Sequence, residues 1–305
     1  MPCSRPRFAH LTSDGKVSFS PLTDNVKRFP TPCGKCHLCL RGRKSELMAR
    51  LVMEGWSHSA SICATLTYAD EHLPPGGGLS KRHAQLFAKR LRFELAEQGL
   101  GPVRIHTVGE YSPKLKRPHY HVIIFGWRPA DSVAAGQSRS GRPECSSEQL
   151  TRLWGFGRVT FQDFSASAAA YVAKHQASKL RRKGADELAV CDVDGSWRWL
   201  PPEFELRPLR PGLGALFFDK YRAQLLAHGY VVVDGQKVGF SRYFNTLAKR
   251  ADPDRFEELR ELRELVALDP ARIANSTPER LAVREEVAKA RDNFFNRGGA
   301  LDVPY

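Results

Sequence analysis

Residues Arg117–Trp127 read RPHYHVIIFGW, so two histidines come directly before a run of four apolar residues. This apolar run is short and rich in β-branched residues, which predicts a buried strand. Successive side chains of a strand point to opposite faces, so His119 and His121 share one face and Tyr120 points to the other. Two imidazoles held side by side on a strand suit a metal ion, although two buried core histidines would give the same pattern.

A carboxylate lies close to this stretch in the sequence. A second strand is predicted at Val103–Val108, and the GEY sequence that follows it contains Glu110. The basic segment Ser112–Arg117, with a proline at its second position, predicts a hairpin turn between the two strands. Such a hairpin would bring Glu110 near both histidines. One carboxylate and two imidazoles, with positions left for water and substrate, suit Mg²⁺ or Mn²⁺ acting on a phosphate.

The composition points to an anionic partner. The 305 residues include 47 Lys and Arg against 33 Asp and Glu, which gives a net charge of +14. Nucleic acid is the first candidate for such a partner, and an anionic membrane surface is the second. No apolar stretch is long enough to span a bilayer, and the N-terminus lacks the apolar core of a signal peptide, so we expect a cytoplasmic protein. The sequence contains no GxxxxGK[ST] motif, which argues against a P-loop ATPase or helicase.

Three cysteines cluster in CGKCHLC at residues 33–39. The chain has seven cysteines, and this odd number, without a signal peptide, argues against a disulfide framework. The CxxC spacing is typical of a zinc or iron–sulfur knuckle, in which a tight turn brings two thiolates to one ion. Cys33, Cys36 and Cys39 would supply three zinc ligands, and Cys3 or His37 would be the fourth. The alternative is a set of reduced, partly buried thiols without metal.

Basic residues follow the cysteine cluster and recur in the predicted hairpin turn. In a protein that binds nucleic acid they would contact phosphates, but they would equally suit a solvated face. The candidates for DNA contact are Arg41, Arg43, Lys44, Lys114 and Arg117.

The remaining pattern mixes strands and helices, which predicts an α+β fold. Residues 128–148 and 184–215 lack periodicity and are expected to form loops. A β-hairpin is predicted around the Asp-Gly at 234–235, and charged helices are predicted at the C-terminal end. The predicted strands include 61–68 and 157–161, and the predicted helices are 42–57, 80–98, 150–154, 165–183, 216–226, 253–267 and 278–295.

The helix predicted at 165–183 contains Tyr171, Lys174 and His175, which share one helical face. A tyrosine hydroxyl is a weak nucleophile at its ordinary pKa near 10, so it needs a nearby cation or a metal-polarised phosphate. Lys174 lies one turn away and could stabilise a developing negative charge. A YxxK pattern alone is a very weak signal, and a packed tyrosine with a solvated lysine explains it better.

Taken together, the motifs resemble a known family. The stretches ATLTY at 64–68, PHYH at 118–121 and YVAK at 171–174 occur in the order found in rolling-circle replication initiators of the HUH endonuclease superfamily. Further motifs are similar to the initiators of microviruses, which are small single-stranded DNA phages, and of their gokushovirus-like branch in particular. These motifs are CGKCHLC at 33–39, TLTYADEHLP at 65–74, GEYSPKLKRPHYHVIIFG at 109–126 and RPGLGALFFDKY at 210–221. The resemblance covers roughly residues 30–245.

The resemblance implies a fold and a set of roles. The family fold is a central antiparallel β-sheet flanked by helices, and here a helical C-terminal extension would follow it. His119, His121 and Glu110 would bind Mg²⁺ or Mn²⁺, Tyr171 would attack DNA to form a 5′-phosphotyrosine link, and Lys174 would assist at the scissile phosphate. Some relatives carry a second tyrosine where this chain has His175. This difference favours a single-tyrosine mechanism, or the participation of a second subunit in the closing step.

The resemblance also implies partners and regions. The partners would be single-stranded DNA at a replication origin and the helicase and polymerase of a bacterial host, in whose cytoplasm the protein would act. An oligomer is compatible with this, and no membrane is involved. We expect an N-terminal Cys-cluster and basic helix region at 1–57, an endonuclease core at 58–185, a family-specific region at 186–250 and a charged helical tail at 251–305.

Two alternatives remain open on the sequence alone. The first is a non-catalytic basic DNA-binding protein, stabilised by zinc, which would leave Glu110, His119, His121 and Tyr171 without a joint purpose. The second keeps the same chemistry in a plasmid initiator or a transposase of the HUH superfamily.

Overall fold

The computed structural model describes residues 3–20, 28–138, 141–179, 188–191 and 195–297, with the backbone only at 174–179, 188 and 295–297. Helices and strands alternate along the chain, and two short 3₁₀ turns, Asp70–His72 and Pro75–Gly77, follow the fourth strand. In chain order the elements are β1 (Arg7–Leu11), β2 (Val17–Ser18), β3 (Phe29–Thr31), α1 (His37–Gly55), β4 (Ser61–Thr67), α2 (Lys81–Glu97), β5 (Arg104–Tyr111), β6 (Pro118–Phe125), β7 (Val133–Gln137), β8 (Pro143–Ser146), α3 (Glu148–Trp154), β9 (Val159–Asp163), α4 (Ala166–Lys179), β10 (Leu188–Cys191), β11 (Trp197–Leu200), β12 (Phe204–Leu206), α5 (Ala215–Lys220), α6 (Arg222–His228), β13 (Tyr230–Val233), β14 (Gln236–Gly239), α7 (Arg242–Ala251), α8 (Pro253–Ala267), α9 (Pro270–Ala274) and α10 (Pro278–Arg297).

The central sheet has seven strands among the described residues, in the order β12-β5-β6-β4-β9-β8-β7. Every neighbouring pair in it is antiparallel. The strand that carries the two histidines, β6, lies between β5 and β4 and is therefore hydrogen-bonded on both sides. The predicted α+β architecture, a central antiparallel sheet flanked by helices and followed by C-terminal helices, is confirmed.

Each face of the sheet is covered by helices, because the side chains of β6 alternate between two apolar cores. Tyr120, Val122 and Ile124 are buried with residues of α2 and α3 on one side. Ile123 and Phe125 are buried with residues of α1 and α4 on the other. The helix α2 begins at the N-cap Ser80, whose hydroxyl accepts a hydrogen bond from the amide of His83. Its buried residues recur at helical spacing, and each large apolar side chain buried in this way contributes about 1.5–3 kcal/mol. They are Ala84, Phe87, Leu91 and Leu95.

The motif RPGLG at residues 210–214 contacts both α1 and β5. The carboxylate of Glu54, which is fully buried, accepts hydrogen bonds from the amide of Gly214 at 2.6 Å and from the guanidinium of Arg104. Arg50 donates to the carbonyl oxygen of Leu213 at 3.1 Å. The burial of a charged group is tolerated when it is paired and hydrogen-bonded, as here. This contact fixes α1 against β5, which is one of the strands that form the candidate site.

Several elements differ from the sequence-based expectations. The segment expected to be a loop at 128–148 forms the hairpin of β7 and β8 at the sheet edge, and the segment expected at 184–215 contains β10, β11 and β12. The sequences of β7 and β8, VAAGQ and PECS, show no alternation of apolar and polar residues, so their strand pattern was not visible in the sequence. The helix predicted at 216–226 is divided into α5 and α6 at Tyr221. The end of the helix predicted to reach Lys183 falls outside the described residues, since residues 180–187 are not described.

The C-terminal part of the chain consists of α7 to α10. The predicted helix at Pro253–Ala267 matches α8, and the predicted helix from Pro278 matches α10. A short helix between them, α9, was not predicted. Within the described part of the chain, no helix combines the length and the apolar character needed to cross a membrane.

Candidate metal centre and nucleophile

Glu110 lies on the same face of the sheet as the two histidines, directly across from His119. The β5–β6 hairpin pairs Glu110 with His119 and Val108 with His121. The oxygen Oε1 of Glu110 lies 3.2 Å from Nε2 of His119 and 2.7 Å from Nε2 of His121. The hairpin expected from the sequence therefore brings these three side chains together. Their ligand atoms all lie within 4.8 Å of one another, so one ion can contact all three.

The outer nitrogens of both histidines are oriented by hydrogen bonds. Nδ1 of His119 lies 3.3 Å from the carbonyl oxygen of Arg117, which accepts a hydrogen bond from this nitrogen in the tautomer that leaves Nε2 free to bind an ion. Nδ1 of His121 lies 3.3 Å from the hydroxyl of Thr65 on the neighbouring strand β4. Both imidazoles can then present an unprotonated Nε2 towards Glu110. Hydrogen bonds of this kind set the tautomer and the ring orientation in metal sites.

The three candidate ligands differ in how far they are exposed to solvent. Glu110 and His121 are 3% and 7% exposed, whereas His119 is only half-buried. The buried side of the centre is therefore fixed by protein, and the side of His119 opens to solvent. A catalytic metal site keeps such an open position for water or substrate. Two imidazoles and one carboxylate fit a divalent ion with vacant positions.

Tyr171 stands beside His121 in this centre. It lies on α4, which packs along α1 on the same face of the sheet, and its ring centroid is 5.2 Å from that of His121 with the rings nearly perpendicular. Tyr171 is 49% exposed, so about half of the residue is open to solvent. Partial burial, together with the negative charge of Glu110 and with Cys63, raises the pKa of Tyr171 to about 12. The phenol is therefore protonated at neutral pH in the absence of an added cation.

Lys174 and His175 follow Tyr171 on α4, but their side chains lie outside the described part of the structure. The backbone of α4 continues through both residues to Lys179. The helix period places Lys174 one turn beyond Tyr171, as the sequence predicted.

The family model "Replication-associated protein ORF2/G2P" matches residues 61–180, a range that contains β4, β5, β6 and Tyr171. The chain is 28% identical to "Replication-associated protein VP4" of Bdellovibrio phage phiMH2K over 311 aligned positions, which cover 100% of this chain and 92% of that protein. It is 31% identical to "Replication-associated protein ORF4" of Chlamydia phage 1 over 73% of this chain and 54% of that protein.

A third relative is "Replication-associated protein ORF2" of Spiroplasma virus 4, with 28% identity over 88% of this chain and 87% of that protein. These matches confirm the resemblance to microvirus-like replication initiators. No solved structure matches the chain. The relatives are named as phage replication-associated proteins, which supports a role in DNA replication for this initiator-like chain.

The five basic residues predicted to contact DNA fall into two groups. Lys114 is exposed in the β5–β6 turn, and Arg117 donates to Asp70 at 2.5 Å and to the carbonyl oxygen of Tyr68 at 2.6 Å. On the first turns of α1, Arg43 is exposed and Arg41 lies 3.7 Å from Asp292. Lys44, beside them on α1, is half-buried. The charges of Arg117 and Arg41 are thus partly offset by carboxylates.

A second group of potential ligands lies away from the histidine centre. Cys3, Cys33, Cys36 and Cys39 place their sulfur atoms within 4.8 Å of one another, and this group could hold a metal ion. Cys3 is therefore the fourth member that the sequence left undecided. The alternative, His37, is directed elsewhere, because its Nε2 lies 2.8 Å from Asp292 on α10. None of these cysteines forms a disulfide.

Sequence reasoning gave no role to His106, which lies on the same face of β5 as Glu110. Its side chain is fully buried, and its Nδ1 lies 3.6 Å from Oε1 of Glu205 on the neighbouring strand β12. Burial, with the charges of Arg207 and Arg50, lowers the pKa of His106 to about 3, so the imidazole stays neutral. Burial raises the pKa of Glu205, against the effect of the same two arginines. Histidine in a predicted strand gives no sign of such burial, so the sequence offered no signal for this pair.

Proposed function

We propose that the chain is a metal-dependent endonuclease that nicks and rejoins single-stranded DNA at a phage replication origin, and so initiates rolling-circle replication. The observation that carries this proposal is the position of the Tyr171 ring, 5.2 Å from that of His121 in the Glu110–His119–His121 centre. A phosphate placed between this tyrosine and the three ligand atoms would meet both the nucleophile and the ion. The similarity to phage replication-associated proteins supports the same role.

In the proposed reaction, Tyr171 is the nucleophile that attacks a phosphodiester of the DNA. The Oη of Tyr171 attacks the phosphorus atom, a new P–O bond forms to the tyrosine, and the bond from phosphorus to the 3′-oxygen breaks. The phenolic proton is passed to the departing 3′-oxygen, which leaves as a free 3′-hydroxyl. The DNA remains attached through a 5′-phosphotyrosine. Since the phosphodiester energy is conserved in this link, attack by a 3′-hydroxyl reverses the reaction without ATP.

The protein groups hold the reactants in place. Glu110, His119 and His121 would hold Mg²⁺ or Mn²⁺, and the bound ion would polarise the scissile phosphate and stabilise its developing charge. Because the pKa of Tyr171 is raised to about 12, the phenol needs a positive neighbour to react at neutral pH. We assign that helping role to Lys174, one helical turn away. A single tyrosine with His175 four residues later suits one nucleophile for each subunit.

The remaining partners follow from the charge and the reaction. The net charge of +14 suits single-stranded DNA, and the contacts to it would include Lys114, Arg117 and the basic residues Arg41, Arg43 and Lys44 of α1. The free 3′-hydroxyl requires a polymerase, and unwinding requires a helicase. Both would be supplied by the bacterial host, in whose cytoplasm the protein would act.

For the four-cysteine cluster we propose Zn²⁺. Four thiolates are the ligand set of many structural zinc sites, with Zn–S distances of about 2.3 Å, so neighbouring sulfur atoms of a tetrahedron lie about 3.8 Å apart. The sulfur atoms of Cys3 and Cys36 are separated by 3.8 Å. Such a closed site would be structural, in contrast to the open histidine centre.

The test is an assay for a covalent protein–DNA adduct. Purified protein is mixed with single-stranded origin DNA and Mn²⁺ or Mg²⁺, and the products are separated on a denaturing gel. We expect an SDS-resistant adduct that disappears with EDTA and in Tyr171→Phe. The matched control is Tyr221→Phe, which removes another tyrosine hydroxyl on the boundary of α5 and α6 and should leave the adduct unchanged.

Two outcomes would contradict the proposal. An adduct that persists in Tyr171→Phe and is lost in Tyr221→Phe would keep the chemistry but assign a different nucleophile. Intact binding of origin DNA without any adduct, in the presence of either ion, would favour a non-catalytic DNA-binding protein.

A further inference from the structure

The four cysteines of the cluster all lie within residues 3–39, and the C-terminal helix α10 packs against them. Resting on the proposed zinc ion, we propose that the C-terminal helix α10 forms the outer shell of this site, with Glu285 as the residue that positions the ligands. The docking of α10 then depends on the ion, and the affinity for the ion depends on α10. The contacts of Glu285, Ala288 and Asp292 carry this inference.

The inner part of the site is built from two segments. Cys33 lies in the turn that leads into α1, Cys36 is the N-cap of that helix, and Cys39 lies in its first turn. The backbone amides of the turn point at the sulfur atoms: the amide of Cys36 donates to Cys33, and that of Cys39 donates to Cys36. The fourth cysteine, Cys3, arrives from the N-terminal segment, and its sulfur accepts from the amide of Cys33 at 3.3 Å. Amide donors of this kind stabilise thiolates, which are the ligand form of cysteine.

Glu285 connects these two segments to α10. It is buried, and its two carboxylate oxygens accept hydrogen bonds from different parts of the site. One comes from the hydroxyl of Ser4, directly after Cys3, at 2.5 Å. The other comes from the amide of His37, directly after Cys36, at 2.8 Å. A single side chain of α10 thus contacts the neighbour of one ligand in each segment, which is the arrangement expected of a residue that orients metal ligands.

The other contacts of α10 at this place follow the same helical face. Ala288 is buried among Cys3, Cys36 and Cys39, and Asp292 accepts from His37 and lies 3.7 Å from Arg41. Together with Leu281, these residues recur at the spacing of one face of a helix. By contrast, Val283, Val287 and Phe294 of α10 are exposed. The described part of α10 therefore buries little large apolar surface, and its docking relies on the polar contacts to the cysteine segments.

Thermodynamic linkage makes the coupling reciprocal. If zinc orders the two cysteine segments, it also orders Ser4 and the amide of His37, which are the partners of Glu285. Any factor by which zinc favours the docked helix must equal the factor by which docking favours zinc binding. Loss of the ion would then release α10, while the central sheet, with its own apolar cores, would remain folded.

The experiment measures zinc content and the protection of α10 separately, on the full chain. Elemental analysis of protein purified without chelator should give about one zinc per chain. Hydrogen–deuterium exchange should show that chelation of zinc speeds exchange in α10 by about 5- to 150-fold, the usual range of coupling between two sites. Exchange in β4 and β6 should not change, and zinc, but not magnesium, should restore the protection of α10.

A pair of adjacent substitutions tests the role of Glu285. Glu285→Gln should weaken zinc binding about 10- to 100-fold in competition with a coloured chelator, as loss of an outer-shell partner does. Glu286→Gln is the matched control, because that residue is exposed on the same helix. Cys3→Ser should release both zinc and α10, with the exchange of the central sheet showing that the variant is folded.

The outcomes separate the two proposals. A folded, zinc-free protein with a protected α10 would contradict the zinc site itself. Stoichiometric zinc with identical α10 exchange before and after chelation would leave the zinc site intact and overturn the coupling. Equal zinc affinity in Glu285→Gln and Glu286→Gln would also overturn it. None of these readouts requires DNA cleavage, so they are independent of the proposed nickase activity.

Discussion

The hydroxyl of Thr65 orients His121, one of the three candidate metal ligands. Thr65 lies directly across the sheet from His121, and its Oγ1 is 3.3 Å from Nδ1 of that histidine. The bond fixes the imidazole so that Nε2 faces Glu110. His119 gets the same orientation from a backbone carbonyl, which no side-chain substitution can remove. The two histidines therefore differ in how sensitive their orientation is to mutation.

The first prediction concerns this threonine. Thr65→Val keeps the shape of the side chain but removes the hydroxyl, so we expect the affinity for Mn²⁺ to fall about 10-fold or more. The matched control is Thr67→Val on the same strand, whose hydroxyl donates to the carbonyl oxygen of Arg158 instead of to a ligand. Titration calorimetry with Mn²⁺ would measure both. Equal affinities in the two variants would show that Thr65 does not position His121.

At the scale of elements, the sequence predicted the helices and strands that have a clear pattern of apolar residues. The strand β6 was predicted because its apolar run is short and rich in β-branched residues, and β4 because Ile62, Ala64 and Leu66 alternate along it. The predicted hairpin placed Glu110 beside the histidines. The proximity of Tyr171 to His121 could not be derived from spacing, because it depends on how α4 packs across the sheet, some fifty residues later in the chain. Only the family resemblance suggested it. Likewise, nothing local to CGKCHLC distinguishes Cys3 from His37 as the fourth ligand.

A close approach between two loops also escaped the sequence. Gly157, just before β9, has φ near 152°, and a Cβ at this position would collide with the backbone of residues 67–69 at the end of β4. The first of these residues, Thr67, pairs with His119 in the sheet. The glycine therefore allows β9 to reach β4 next to the candidate metal centre. A lone glycine in a sequence does not reveal such a contact, since the partner segment lies far away along the chain.

The second prediction follows from this contact. Gly157→Ala should lower the free energy of unfolding by about 1–3 kcal/mol, because the added methyl group meets backbone atoms that cannot rotate away. Urea denaturation would measure the loss. Gly101→Ala is the matched control, since a Cβ there meets no atom within 4 Å and should change the stability little. A Gly157→Ala variant as stable as the control would mean that the loops separate easily.

At the scale of the whole molecule, the basic residues behind the net charge of +14 differ in how far neighbouring carboxylates compensate their charge. On α8, Arg260 lies between Glu257 and Glu264, at 2.5 Å and 3.5 Å, so its charge is largely compensated. In the β5–β6 turn, Lys114 is exposed and lies four residues from the candidate metal ligand Glu110. When DNA binds, counterions are released only where a Lys or Arg that is not already paired with a carboxylate neutralises a phosphate of the DNA.

The last prediction uses this difference. In a Tyr171→Phe background, which prevents covalent chemistry, the logarithm of the affinity for single-stranded DNA should fall linearly with the logarithm of the salt concentration. Lys114→Ala should make that slope shallower by about 0.7, the contribution of one phosphate contact on a single strand. Arg260→Ala should leave the slope unchanged, because its positive charge is already matched by two carboxylates. Fluorescence anisotropy at several salt concentrations would measure both slopes. If Arg260→Ala reduced the slope and Lys114→Ala did not, the DNA would run along the C-terminal helices, and the β5–β6 turn would lie outside its path.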